Sequence, residues 1–355
     1  MSRAPQKSPT SSERMTILEF AKILGVSKST VSSAFTGKHG VSAKTQATIL
    51  EAAREIGFYP NLHAQRLRSG NRRDTIALCT GEDLGVLVLT RWALNHALHE
   101  QGWKVDIHSK SQYSVLMNEE QSILLDQLRR LNPAAIIFDG NGVLETTKKQ
   151  LLRYAEDGGI LISFDRPSQL PCDQVNYDRF NSSYIAAKHL LELGHRDIGL
   201  AVHGGKREEL LVGDRFQGFQ SALTEFGAHV NHDWLWTECS FEAVGASLGH
   251  KFLALKNRPT AMFVINDAVT SAFVNVLLQN GLRVPDDVSI VSHDDVQGAR
   301  YAIVPLTSVA FPIDKIVATV MEMLKTRLDG SYQGAPRIVS LTGELILRQS
   351  TRALV

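Results

Sequence analysis

The stretch TILEFAKILGVSKSTVSSAFT, Thr16 to Thr36, decides the fold of the amino-terminal part of the chain. Ile17, Phe20, Ala21 and Leu24 recur at i, i+3, i+4 and i+7, which places them on one face of a short helix. Thr16 is the expected N-cap, and Glu19 three residues on completes a capping box, so that two orphan amides are satisfied reciprocally. Gly25 supplies a backbone free to take positive φ, and Val26 follows as an apolar plug. Ser27 is placed to cap a second helix that turns Val31, Ala34 and Phe35 inward and Lys28, Ser29, Ser32 and Ser33 outward. The pattern is that of a helix-turn-helix, whose second helix carries the short donors and acceptors that meet base edges in a DNA major groove. A solvated helical hairpin is the alternative.

Working outward, Gly37 to Gly40 reads as a loop. Ser42 caps a third helix with the stripe Ile49, Ala53 and Ile56, and Gly57 and Pro60 end it. Residues 1–14 are rich in Ser, Pro and basic side chains without periodicity, the composition of a disordered tail. In PNLHAQRLRSG, 60–70, Ala64 and Leu67 stand three residues apart among basic residues. A short helix that needs a partner or DNA to form fits this segment, and so does a basic linker.

Charge is segregated. Residues 1–73 hold twelve basic and four acidic side chains, a net of +8, while the remainder holds 26 basic against 33 acidic, a net of −7. A basic head on an acidic body is the footprint of a nucleic-acid-binding module joined to something else. A chain of 355 residues with 43% hydrophobic content suits a small head plus one or two larger domains. Cys79, Cys172 and Cys239 stand far apart with no CxxC pair, which points to neither a disulfide framework nor a zinc site and fits a reducing cytoplasm. No run approaches the roughly 18 apolar residues of a membrane span, and no signal-peptide h-region opens the chain.

From Thr75 the pattern becomes short apolar runs alternating with amphipathic helices, the mark of parallel βαβ units. TIALCT, KVDIHS, AAIIFD and ILISFD read as strands, with helices near 84–101, 118–131 and 143–157. A second series follows: helix 178–194, DIGLAV, helix 210–227, AMFVIN, helix 267–281 and VSIVSH. Two doubly wound sheets result, and ligands of such folds sit beyond the carboxyl ends of the strands, here in the cleft between lobes. The polar residues at those ends are Asp165 and Arg166, Asn266 and Asp267, and His293, Asp294 and Asp295.

These residues resemble the lactose and galactose repressor family (LacI/GalR) of bacterial transcription factors. The likeness runs through GVSKSTVS, VSAKTQATILEAAREIGFYPN, the A-x-x-L of 60–70, FDRP, LLELGHRDIGL, the R-x-x-G-F at Arg215 to Phe219, RPTAMFVIND, GLRVPDDVSIVSHDD, PLTSV and ELILRQST. It implies an all-α head with a hinge helix followed by an α/β two-lobed, periplasmic-binding-protein-like effector domain. The expected divisions are a tail at 1–14, a DNA-binding head at 15–59, a hinge at 60–73 and an effector and dimerisation domain at 74–355. Within the last, lobe 1 takes about 74–166 and 295–330, and lobe 2 about 167–294 and 331–355.

By the same resemblance Lys28, Ser29 and Ser33 read bases, with Thr16, Ser27, Thr30 and Ser32 beside them, and Ala64 and Leu67 act from the hinge, Leu67 as a minor-groove wedge. Arg215, Asp267 and Asp294 hydrogen-bond a polyhydroxylated effector, with Asp165, Arg166, Asn266 and, from the first lobe, Lys110 around it. Ser33 stands where the family carries Arg or His, and SHDD where its motif begins with Gly and an aromatic. The partners implied are an operator in double-stranded DNA, a carbohydrate-like effector and a second copy of the chain, in the bacterial cytoplasm at the nucleoid, with no membrane, cofactor or metal. His293 beside two aspartates invites an enzymatic reading, but no G-x-S-x-G, Walker lysine or HExxH accompanies it. The remaining alternative, a two-lobed soluble sugar-binding protein without DNA function, leaves the basic head unexplained.

Overall fold

The computed structural model of the chain describes residues 15–36, 41–56, 58, 74–81, 85–110, 133–140, 145–203, 211–238 and 242–354. The expected tail, the loop at 37–40, the hinge segment with Ala64 and Leu67, and the helix expected at 118–131 lie outside these residues.

Three helices form the head: α1 (Ile17–Ile23), α2 (Lys28–Thr36) and α3 (Ala43–Ile56). The capping box is present, with the Thr16 amide donating to the Glu19 carboxylate at 2.6 Å and the Glu19 amide donating to the Thr16 hydroxyl at 3.3 Å. Gly25 takes φ +65, and a Cβ there would meet nothing within 4 Å, so the constraint is the left-handed backbone itself and not space. Phe20, Ala21, Val31, Ala34, Ile49, Ala53 and Phe58 form one core, and the Gln46 side-chain Nε2 donates to the Ala34 carbonyl at 3.0 Å, tying α3 to the end of α2. Ile56 departs from expectation: it is exposed, and Phe58 fills the core, stacked on Phe20 at 4.1 Å. The Phe58 amide donates back to the Ala53 carbonyl, and this turn beyond α3 swings the ring inward.

Among the described residues the body contains two six-stranded sheets. The first comprises β1 (Thr75–Gly81), β2 (Lys104–Lys110), β3 (Ala135–Asp139), β4 (Ile160–Asp165), β5 (Asp173–Tyr177) and β11 (Ile338–Leu341), in the order β11-β5-β4-β3-β1-β2, all parallel. Helices α4 (Val86–Glu100) and α5 (Glu145–Glu156) follow β1 and β3. The pleat sends Ile76 and Leu78 into one apolar cluster and Ala77 into another, so the sheet is covered on both faces and its strands read as near-continuous apolar runs.

The second sheet comprises β6 (Ile198–His203), β7 (Leu235–Glu238), β8 (Ala261–Val264), β9 (Ser289–Asp294), β10 (Thr307–Ala310) and β12 (Leu345–Ile346), in the order β12-β10-β9-β8-β6-β7. Only the β10–β12 pair among these is antiparallel. Its helices are α6 (Arg179–Glu192), α7 (Asp214–Glu225), α8 (Glu242–Ala254), α9 (Asp267–Gln279) and α10 (Gln297–Tyr301). Helix α11 (Ile313–Leu328) packs its Ile316, Val320, Met323 and Leu324 into the first sheet's core.

Sheet membership corrects the expected lobe boundaries. β5, placed by the sequence reading in lobe 2 from residue 167, belongs to the first sheet, as does β11, and β10, placed in lobe 1, belongs to the second. The reason is side-chain satisfaction across long sequence distances. Asp173 and Gln174 of β5 are polar yet buried, and their partners lie on Arg327, Arg337 and the turn at Ser168 to Leu170. The chain therefore crosses between lobes three times, after β5, after β10 and after β11. The crossings touch: the Asp178 amide donates to the Leu341 carbonyl at 2.9 Å and the Ala310 amide to the Glu344 carbonyl at 2.8 Å. A Cβ at Gly343 would sit 2.0 Å from the Ala310 oxygen, so only glycine lets these strands meet.

Candidate functional site

The outer face of α2 is built by its own cap. The Ser27 hydroxyl accepts from the Thr30 amide at 3.0 Å, which fixes the start of the helix, and it lies 2.7 Å from both the Ser29 and the Thr30 hydroxyls. Ser29 is exposed, whereas Lys28, Thr30, Ser32 and Ser33 are half-buried. Val31 and Ala34 anchor the opposite face, so the structure brings the expected base-reading residues onto one rigid surface. The Thr16 hydroxyl is engaged in the capping box and orients the first helix.

In the body, four non-glycine residues take positive φ among the described residues: Asp165 (73°), Asn266 (64°), Asp294 (98°) and Asp295 (52°). They stand at or just beyond the carboxyl ends of β4, β8 and β9, where left-handed backbone costs about 1–3 kcal/mol per residue and is held by the surrounding structure. Asp165 is buried and accepts from Arg179 at 2.6 Å, while the same guanidinium donates to the Asp165 carbonyl at 3.0 Å. Arg179, in the first turn of α6, has no signal in the sequence reading, being one basic residue after a helix cap.

Asn266 caps α9, its side chain accepting from the Val269 amide at 2.9 Å. Asp267 is buried behind it, and both its oxygens are engaged: the hydroxyls of Ser292 and Ser308 donate at 2.6 and 2.9 Å, and the Val296 amide at 2.8 Å. Burial pushes its carboxyl up to about 7 against the pull of those donors, and the neighbouring Asp294 adds to the rise.

His293 is fully buried between Asp294, 2.6 Å from Nδ1, and the Tyr177 hydroxyl, 2.8 Å from Nε2. Burial first, then Arg215, lowers its pKa, and burial raises that of Tyr177 to about 12. A carboxylate only accepts, so Nδ1 carries the proton and Nε2 accepts from the tyrosine. Tyr177 ends β5 of the first sheet and His293 lies in β9 of the second, so the imidazole links the lobes beside the crossings. Both of its ring nitrogens are engaged in this link.

Arg215, in the first turn of α7, has a buried Nη1 with no hydrogen-bond partner, and its pKa is lowered to about 10 by burial first, then by Arg179. Arg166 follows β4 and reaches solvent, yet desolvation, then Arg179, lowers its pKa too. The structure thus gathers Asp165, Arg166, Arg215 and Asp294 within one electrostatic neighbourhood and sets Asp267 behind it. Lys110 ends β2, and its side chain lies outside what is described. Among the described residues no group of three or more His, Cys, Asp or Glu side chains is placed to hold a metal, and no helix is long and apolar enough to cross a membrane.

Comparisons with known proteins bear on both parts. The model of bacterial regulatory proteins of the lacI family matches residues 16–61, and that of periplasmic binding protein-like domains matches 187–351. The chain is 27% identical over 345 residues to the HTH-type transcriptional repressor PurR of Vibrio parahaemolyticus, covering 96% of this chain and 99% of that one. It is 27% identical over 338 residues to the NTD biosynthesis operon regulator NtdR of Bacillus subtilis, covering 95% and 99%. Among solved structures, a CelR–cellobiose complex superposes with a TM-score of 0.67 at 24% identity (95% and 100% covered), and a lac repressor dimer bound to operator and the anti-inducer ONPF with 0.66 at 22% (96% and 100% covered). Those two share the two-lobed fold with this chain. A helix-turn-helix head, two α/β lobes and full-length likeness to named transcriptional repressors lead to one conclusion: the chain is a DNA-binding transcriptional regulator, not an enzyme, whose head matches the lacI family of bacterial regulatory proteins.

Proposed function

We propose that the protein is a repressor that binds a palindromic operator as a homodimer and is controlled by a small-molecule effector, a sugar or sugar derivative, held in the cleft between the lobes. The carrying observation is the capped α2 with its outward Lys28, Ser29 and Ser33 within residues 1–73, which hold the net charge of +8. Thr16, Ser27, Thr30 and Ser32 flank that face, and Ala64 and Leu67 extend it through the hinge into the minor groove. Its target being chromosomal DNA, the protein works in the cytoplasm at the nucleoid.

A gel shift with fragments of the source genome tests the reading: one or a few fragments are retarded against excess random DNA, and uniform retardation overturns it. Ser29→Ala is expected to cost about 1–3 kcal/mol on the specific fragment and little on random DNA. Equal losses on both would remove the base-reading role.

One head reads one half-site, so a two-fold operator calls for a two-fold protein. A surface on the first lobe supports this: Leu89 and Trp92, one turn apart on α4, are 42% and 65% exposed, and Ile107 on the edge strand β2 is 45% exposed. Large exposed apolar side chains so grouped mark an interaction site. Trp92→Glu is expected to shift the protein from dimer to monomer in sedimentation velocity. An unchanged dimer would place the interface elsewhere.

A further inference from the structure

Four carboxylates at the strand ends already have partners, and two guanidiniums near them have none among the described residues. Asp165 accepts from Arg179, Asp267 from two hydroxyls and an amide, Asp294 from His293, and Asp295 from Arg348 at 2.6 Å. Arg166 and Arg215 make no side-chain hydrogen bond among the described residues, and the Arg215 Nη1 is buried without one. Among the described residues these strand ends therefore offer unused guanidinium donors, while Asn176 Oδ1, beside Asp165 in the sheet, is the buried side-chain acceptor left open there. A neutral sugar is recognised by both, because each hydroxyl donates as well as accepts, whereas an anion only accepts.

Arg179 also bears electrostatically on both of these guanidiniums. Arg166 leaves the first lobe after β4, Arg215 belongs to the second lobe, and Arg179 stands at a crossing and acts on both. Asp165, Asp139 and Asp214 offset the charge at Arg166, in that order, but each acts on it less than Arg179 does. A buried donor left without a partner costs about 1–3 kcal/mol, more when charged, and a ligand that satisfies it recovers that cost.

We infer that the effector is an acidic sugar derivative, bearing a carboxylate or a phosphate that Arg215 and Arg166 hold between them across the cleft. The inference rests on the cleft being the effector site and adds the chemical class. Arg suits the task because its planar fork meets a carboxylate or a phosphate with two parallel hydrogen bonds. The anion also offsets the repulsion that Arg179 exerts on both side chains, one from each lobe.

The test is a thermal-shift titration of the full chain at constant ionic strength with inorganic phosphate, D-glucuronate, D-glucose 6-phosphate and D-glucose. The acidic probes are expected to raise the melting temperature saturably by 2 °C or more, roughly RT ln(1 + [L]/Kd) in stabilisation, and glucose is not. A response confined to glucuronate or to the two phosphates identifies the acidic group. Arg215→Gln should weaken the response at least tenfold in apparent affinity and Arg166→Gln with Arg215→Gln abolish it, while Arg215→Lys retains part.

Operator affinity without probe shows that the variants are folded. No response to any acidic probe beyond sodium chloride overturns the inference, as does a response to glucose alone. If that glucose response is lost in Arg215→Gln, the cleft remains the effector site and only the acidic class fails. An acidic response that survives in the double variant moves the site out of the cleft and overturns both readings.

Discussion

Asp173→Ala is expected to lower the unfolding free energy by about 3–5 kcal/mol, among the largest single-residue losses the body can show. The Asp173 carboxylate is buried and receives Arg327 through Nε and Nη2 at 3.0 and 2.7 Å, and Arg337 through its backbone amide at 2.8 Å and its guanidinium at 2.6 Å. Burial opposes its ionisation, but the two arginines hold the carboxyl below its usual value. Both guanidiniums also lie over the Tyr332 ring, at 4.6 and 4.3 Å from its centre. Removing the anion leaves two half-buried cations facing each other and unfastens β5 from α11 and β11 at once. Urea denaturation of the isolated variant measures the loss, and a change below about 1 kcal/mol would mean that solvent compensates the arginines.

Asp267→Ala is expected to cost about 2–4 kcal/mol. The Ser292 hydroxyl can donate instead to Thr270, 2.9 Å away, whereas the Ser308 hydroxyl only accepts from the Asp295 amide, at 3.2 Å, and its own hydrogen loses its acceptor. The Val296 amide is orphaned as well, and these two losses with the vacated volume make up most of the cost. Asp267→Asn is expected to be tolerated, because the amide oxygen can accept from Val296 while the amide nitrogen donates to the two hydroxyls.

The pair also has a pH signature. The folded carboxyl titrates near 7 and the unfolded one near 3.8, so folding takes up a proton between those values. The stability this group contributes is fully present below about pH 4 and lost as pH rises through 7. Wild type minus Asp267→Asn should therefore fall in stability from pH 4 to pH 7 and level off above. His293, whose folded pKa is lowered, works the other way in both proteins and loses stability as pH drops below 6.5. A flat difference curve would show that Asp267 is ionised throughout.

The head was legible because its determinants are local. Thr16 and Glu19 are three residues apart, Gly25 needs only its own φ, and Val31 and Ala34 follow helical period. Phe58 was missed for the opposite reason: it lies past the end of α3, where no period applies, and tertiary packing recruits it in place of Ile56. The body's apolar strands were legible from composition, whereas β5 was not, since Asp173 becomes a strand residue only with arginines 154 and 164 positions away. At the cleft, strand ends pointed to Asp165, Asn266, Asp267 and Asp294. Which of their oxygens remain open depends on Arg179, Ser292, Ser308 and His293, and no motif in the sequence carries that.

The three crossings also govern how the molecule is made. The first sheet waits for β11, whose partner β5 was synthesised about 160 residues earlier, and the second waits for β12 and for Ser350, whose hydroxyl donates to the Ile290 carbonyl and whose backbone oxygen accepts from the Ile290 amide. Until β11 and β12 have been synthesised, both sheets have an unpaired edge and neither lobe is complete, although the head needs nothing beyond Phe58. The DNA-reading part thus emerges before the body and can close alone, whereas the part that would sense a ligand closes only once β11, β12 and Ser350 have been made. A nonsense mutation near residue 335 would strip both lobes together, leaving a head without control.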